Sequence, residues 1–93
     1  MKMARDIGGK LKRETCTLDS LDIGARSQVA CVSGDIELRR RLLEMGFCNG
    51  ATVLVVRKAP LGDPVEYKIR GYRLSLRREQ AKHVHMVKTR SQS

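Results

Sequence analysis

Apolar residues recur along this chain with two different periods, and the change of period marks out its elements. Between Asp35 and Gly46 the period is helical: Leu38, Leu42 and Met45 fall at i, i+4 and i+7, with Ile36 and Leu43 beside that stripe. Asp35 is placed to cap this helix, because its carboxylate can accept from the unpaired amides of the first turn. Gly46 is placed to end it in a left-handed residue, after which Phe47 can pack back on Leu42 in a Schellman arrangement. Arg39, Arg40 and Arg41 fall mostly on the outer side, and Glu37 with Arg41 and Arg40 with Glu44 are spaced for ion pairs. Elsewhere the period is two. Residues 25–32 read as a strand broken by Ser33-Gly34, and Cys31 is expected to be buried there. Residues 51–57 are rich in β-branched side chains. Residues 65–70 place Val65, Tyr67 and Ile69 on one face, residues 72–77 place Tyr72, Leu74 and Leu76 inward, and residues 82–88 do the same with Val84 and Met86. Residues 59–64 form a loop with two prolines, Gly71 a tight turn and residues 78–81 a single helical turn.

The order is strand, helix, then further strands with short links. Short antiparallel strands must manage their edges, and curling into a small barrel does so, so the expected fold is mainly β: a barrel of about five strands with one α-helix between the first and second. The Leu38/Leu42/Met45 face would plug one end. The barrel domain spans residues 17–88; residues 1–16 read as a flexible basic tail and 89–93 as a C-terminal tail.

Charge adds a constraint. There are 19 Lys+Arg against 10 Asp+Glu, a net charge of +9, which favours an acidic partner such as nucleic acid, anionic lipid or an acidic protein face. Aromatics make up only 3% of the chain, which argues against an RNA binder built on stacked rings. The longest apolar stretch, Val53 to Val56, is far short of the ~20 residues of a membrane span, and no apolar core follows the basic N-terminus as in a secretory signal. Three widely spaced cysteines, Cys16, Cys31 and Cys48, suggest reduced thiols in a cytoplasm rather than a disulfide framework. No nucleophile with a base at a telling spacing and no phosphate loop is visible, so the chain is not read as an enzyme.

Four stretches, in order over residues 17–88, resemble one known family: Thr17-Leu18-x-x-Leu21-x-x-Gly24, Leu38-Arg39-x-Arg41-Leu42-x-x-Met45-Gly46-Phe47, Ala59-Pro60-Leu61-Gly62-Asp63-Pro64, and Arg70-Gly71-x-x-Leu74-Ser75-Leu76-Arg77. Together they resemble the FeoA family, small cytoplasmic proteins of bacterial ferrous iron uptake. The module is also similar to the C-terminal domain of iron-dependent repressors, but no winged-helix segment stands in front of it. The resemblance implies an SH3-like β-barrel and an accessory role, by protein–protein interaction with the FeoB membrane transporter and its cytoplasmic GTP-binding domain. Cys48-Asn49-Gly50 departs from the family's usual Pro-Gly turn, although Asn-Gly can also turn tightly.

The candidate partner-binding residues are Arg39, Arg40 and Arg41, with Leu61 at the tip of a loop, where an apolar side chain either anchors a partner or folds back over the barrel end. His83 and His85, at i and i+2 of a strand, share a face. They read either as a solvated surface or as ligands for Fe(II) or another divalent metal, with a cysteine as a conceivable third donor. No cofactor is required by this reading, and the chain is expected to be a monomer. The alternative function is a small basic barrel that binds nucleic acid without sequence preference.

Overall fold

The computed structural model describes residues 15–88, so all but the last two residues of the tail expected over 1–16, and the whole of that expected over 89–93, lie outside the described residues. The elements are β1 (Thr15–Thr17), a 3-10 turn (Leu18–Ser20), β2 (Arg26–Val32), helix α1 (Ile36–Met45), β3 (Thr52–Lys58), β4 (Val65–Ile69), β5 (Tyr72–Leu76), the one-turn helix α2 (Arg78–Ala81) and β6 (Val84–Val87). The strands form one six-stranded sheet in the order β1-β6-β2-β3-β4-β5, antiparallel at every pairing. This is one strand more than expected, and it moves α1 from between the first and second strands to between the second and third. The added strand, β1, begins within the segment read as tail and pairs Thr15 with Val87 and Thr17 with His85. Three residues without apolar alternation carry no strand signal; their pairing with β6 supplies it.

The termini of α1 follow the sequence. Asp35 Oδ1 accepts from the Leu38 amide at 2.8 Å. Gly46 adopts φ 110°, a left-handed conformation costly for residues with a Cβ. Gly46 N–H then donates to Leu43 O at 3.0 Å and Phe47 N–H to Leu42 O at 3.1 Å, the paired bonds of the Schellman motif. Phe47 and Leu42 are both fully buried. Among the described residues the ion pairs lie on the sheet, Arg57 to Glu66 at 3.0 Å and Arg73 to Glu66 at 3.5 Å, and not along α1. Exposed pairs of long side chains gain too little to fix their geometry.

The sheet curls so that both halves bury side chains in one core: Val29, Val53, Val55, Tyr67, Ile69, Leu76, Val84 and Met86, sealed by Leu18, Leu42, Phe47 and Ala81. Fully burying a side chain of the Val, Leu or Phe kind stabilises by about 1.5–3 kcal/mol. Two β-bulges decide which residues join this core. One lies between Val29 and Cys31, where β2 carries an extra residue against β6; the other lies between Val55 and Arg57 on β3. An extra residue reverses the inward–outward alternation downstream. Arg57 is thereby turned outward to Glu66. Cys31, expected to be buried, is exposed for the same reason. Tyr72 also departs from expectation. Its ring is 46% exposed on edge strand β5, and its hydroxyl donates to the Met45 carbonyl in the last turn of α1.

Candidate functional site

Helix α1 has two apolar lines. Leu42 is buried in the core, with Leu38 and Met45 packed against it. Ile36 and Leu43 are seven residues apart, and at about 100° per residue they lie on nearly the same line, roughly 140° round the helix from the core stripe. They do not flank the core stripe as expected; they face a groove between α1 and β2. Its volume is about 550 Å³, and its lining includes Ala30, Cys31 and Val32 from β2, Phe47 beyond the helix, and Ile36 and Leu43. Ile36 is 65% exposed and Leu43 49% exposed, so the groove presents apolar surface to solvent. Asn49 closes one end and is fixed there by its Nδ2, which donates to the Ala30 carbonyl at 2.7 Å.

The groove sorts the arginine run. Arg39 and Arg40 stand on either side of the Ile36–Leu43 line and contribute to the lining, whereas Arg41 lies exposed outside it. Leu61 is 94% exposed at the β3–β4 loop and is not a lining residue. It therefore does not fold back over the barrel end, and the structure does not bring it to the arginines. The other cations are arranged separately. Arg26, Lys68 and Arg73 form a cross-strand row through Leu54 on the outer face of β2–β5. Arg70, in the β4–β5 turn at φ 51°, directs Nη2 to Cys48 Sγ at 3.1 Å.

His83 and His85 do share a face, as their spacing requires, and both are half-buried. The Ser33 hydroxyl lies between them, 3.2 Å from His83 Nδ1 and 3.0 Å from His85 Nε2. A single hydroxyl can donate to only one of these nitrogens, so the other ring must present an N–H to it. Among the described residues, no three His, Cys, Asp or Glu side chains converge as metal ligands.

Sequence reasoning missed Ile36, Leu43, Cys31 and Asn49 as groove residues and Ser33 as the bridge between the histidines. The signal for Ile36 and Leu43 was present: two large apolar residues seven apart, off the core stripe, mark a second face. Cys31, Ser33 and Asn49 carry no such signal, because a bulge and long-range pairing position them.

A curled antiparallel sheet of six short strands, plugged by one helix and bearing an open apolar groove, defines a small SH3-like domain. The FeoA domain matches residues 16–88, and the chain belongs to the FeoA family. In sequence it is 48% identical over 64 residues to an Fe(2+) transport protein A/Fe(2+) transporter FeoB fusion protein of Porphyromonas gingivalis. That match takes in 69% of this chain and 8% of the fusion protein, so the chain spans only a small part of its relative's length. In structure it is similar to a FeoA-like protein of Clostridium acetobutylicum, with a TM-score of 0.76 and 30% identity over 86% of this chain and 94% of the other. It is also similar to Stenotrophomonas maltophilia FeoA complexed with zinc, a prokaryotic SH3 domain protein, with a TM-score of 0.67 and 32% identity over 75% of this chain and 87% of the other. The family relationship associates this chain with ferrous iron transport. Among the described residues no helix is long and apolar enough to cross a membrane.

Proposed function

We propose that this chain is a cytoplasmic accessory protein of ferrous iron uptake that binds the cytoplasmic part of a FeoB transporter, with the α1–β2 groove as its contact face. The observation that carries this reading is the Porphyromonas gingivalis fusion, in which a segment similar to this chain is joined covalently to a transporter. A short tether holds two modules at roughly millimolar effective concentration, an arrangement that serves modules working in contact. The groove's chemistry supports the same reading. An apolar floor flanked by Arg39 and Arg40 suits an amphipathic segment with aliphatic side chains on one side and carboxylates at its margins.

The test is a titration of the purified chain against the isolated cytoplasmic region of FeoB from the same organism, at physiological salt, with and without guanine nucleotide. Saturable binding that persists as salt is raised is expected. No binding in any nucleotide state would refute the reading. The Arg26–Lys68–Arg73 row favours a second, weaker activity, sequence-blind adhesion to nucleic acid. That binding should collapse steeply with salt, unlike binding seated on an apolar floor.

A further inference from the structure

The register of β2 against β6 gathers four donor side chains on one outer face. Cys31 stands opposite His85. Ser33 stands opposite His83, its amide donating to the His83 carbonyl at 2.8 Å. Directly opposed residues of an antiparallel pair project to the same face, with Cβ atoms about 4.5–5.5 Å apart. His83, in the turn just before β6, and His85, within it, come to that same face, since both reach the Ser33 hydroxyl. Between them Val84 turns inward and is fully buried, which fixes the alternation. The bulge after Val29 is what delivers Cys31 to the histidine side rather than to the core.

The Ser33 hydroxyl shows that the two rings aim at one region. Its distances, 3.2 Å to His83 Nδ1 and 3.0 Å to His85 Nε2, are close to the separation of neighbouring ligands in a tetrahedral complex. That separation is about 3.3 Å for metal–nitrogen bonds of ~2.0–2.1 Å. Cys31 is a free, exposed thiol opposite His85. It is not turned toward the rings as placed. An exposed side chain changes rotamer on the picosecond-to-nanosecond scale, so Cys31 can turn toward His85, its cross-strand neighbour.

We propose that Cys31, His83 and His85, grouped around the Ser33 hydroxyl, form a binding site for a borderline divalent transition ion such as Zn²⁺, Co²⁺ or Fe²⁺. Two imidazoles and a thiolate match ions of this softness and discriminate against Mg²⁺ and Ca²⁺, which take oxygen ligands. On binding, each imidazole gives a lone pair, the ring that presented its N–H to Ser33 first shifting that proton to its other nitrogen through solvent; the Cys31 thiol releases its proton to solvent, and water or the Ser33 hydroxyl takes the fourth position. The Ser33 hydrogen bonds are exchanged for metal bonds at two nitrogens that already face one region, at the cost of one tautomer shift and the turn of Cys31. The site shares Cys31 with the lining of the groove, but its test uses no transporter.

The experiment titrates Co²⁺ into the full reduced chain, reading the visible ligand-field absorption, the thiolate-to-cobalt charge-transfer band and the paramagnetic shifts of the two histidine rings by NMR. One ion per chain is expected, shifting both the His83 and His85 resonances. The charge-transfer band should vanish in Cys31→Ser and persist in Cys16→Ser and Cys48→Ser. His83→Gln and His85→Gln should each weaken binding at least about tenfold. The NMR readout on the wild-type chain holds even if a half-buried histidine variant fails to fold. No saturable Co²⁺ binding, a thiolate band that survives Cys31→Ser, or histidine resonances unmoved by the ion would each overturn the site.

Discussion

Leu42 and Leu43 are adjacent on α1 and chemically identical, yet the structure gives them opposite tasks, and truncating each in turn tests that division. Leu42 is fully buried, so Leu42→Ala removes core volume and leaves a cavity, at a cost of about 2–5 kcal/mol. For a domain of this size each kcal/mol shifts Tm by roughly 4–8 °C, so a fall of at least about 8 °C, and about 20 °C at mid-range, is expected. Leu43 keeps 49% of its surface in water. Leu43→Ala therefore loses about half of a leucine's burial, on the order of 1 kcal/mol, and Tm should fall by no more than about 4–8 °C. Binding should sort the other way. If Leu43 seats in a partner's apolar face, its truncation should cost about 1–2 kcal/mol of affinity, roughly a 5–30-fold rise in Kd for the FeoB cytoplasmic region. Thermal melts and the FeoB titration, run on both variants, read the two quantities. A Leu43→Ala variant as destabilised as Leu42→Ala would refute the orientation of α1. A well-folded Leu43→Ala variant that binds like wild type would refute the groove as the contact face.

Two further outcomes are expected. Reversing both groove arginines, Arg39→Glu with Arg40→Glu, should weaken FeoB binding at least about tenfold at low salt, with the gap narrowing as salt screens the charges. Arg41→Glu, outside the groove, should change binding little; equal losses for all three positions would remove the groove's role in sorting them. Burial, aided by the charges of Asp19 and Asp63 and opposed by Arg78, pushes the Tyr67 phenol up to about 12. In the unfolded chain the phenol ionises near its ordinary value of about 10, so the folded state holds more protons between those two values. Tyr67's contribution is thus intact below about pH 10 and is lost as pH rises through about 12. Among the described residues Tyr67 Oη has no hydrogen-bond partner, so Tyr67→Phe sacrifices no bond and should be at least as stable at neutral pH. Denaturant melts from about pH 8 upward should show a shallower alkaline loss in Tyr67→Phe than in wild type, and parallel losses would refute the assignment.

The local elements were legible in the chain before it was folded, because their causes are local. The cap at Asp35, the left-handed stop at Gly46 and the return of Phe47 onto Leu42 depend on residues within a turn or two of each other. The inward faces of β4 and β6 follow from strict alternation, and Val65, Tyr67, Ile69, Val84 and Met86 are buried as that alternation requires. The cluster of motifs was also enough to indicate the FeoA family. What escaped depends on partners distant in the chain. Thr15–Thr17 becomes a strand only because Val87 and His85 lie beside it. Cys31 faces outward only because β2 gains a residue against β6, a register shift that no periodicity within β2 encodes. Arg39 and Arg40 differ from Arg41 only once β2 has supplied the other wall of a groove. The spacing of His83 and His85 gave their common face, but the Ser33 hydroxyl that draws them together comes from 50 residues earlier in the chain. Local energetics choose the element; which of its faces meets water, core or partner is a property of the pairing, and only the tertiary structure supplies that.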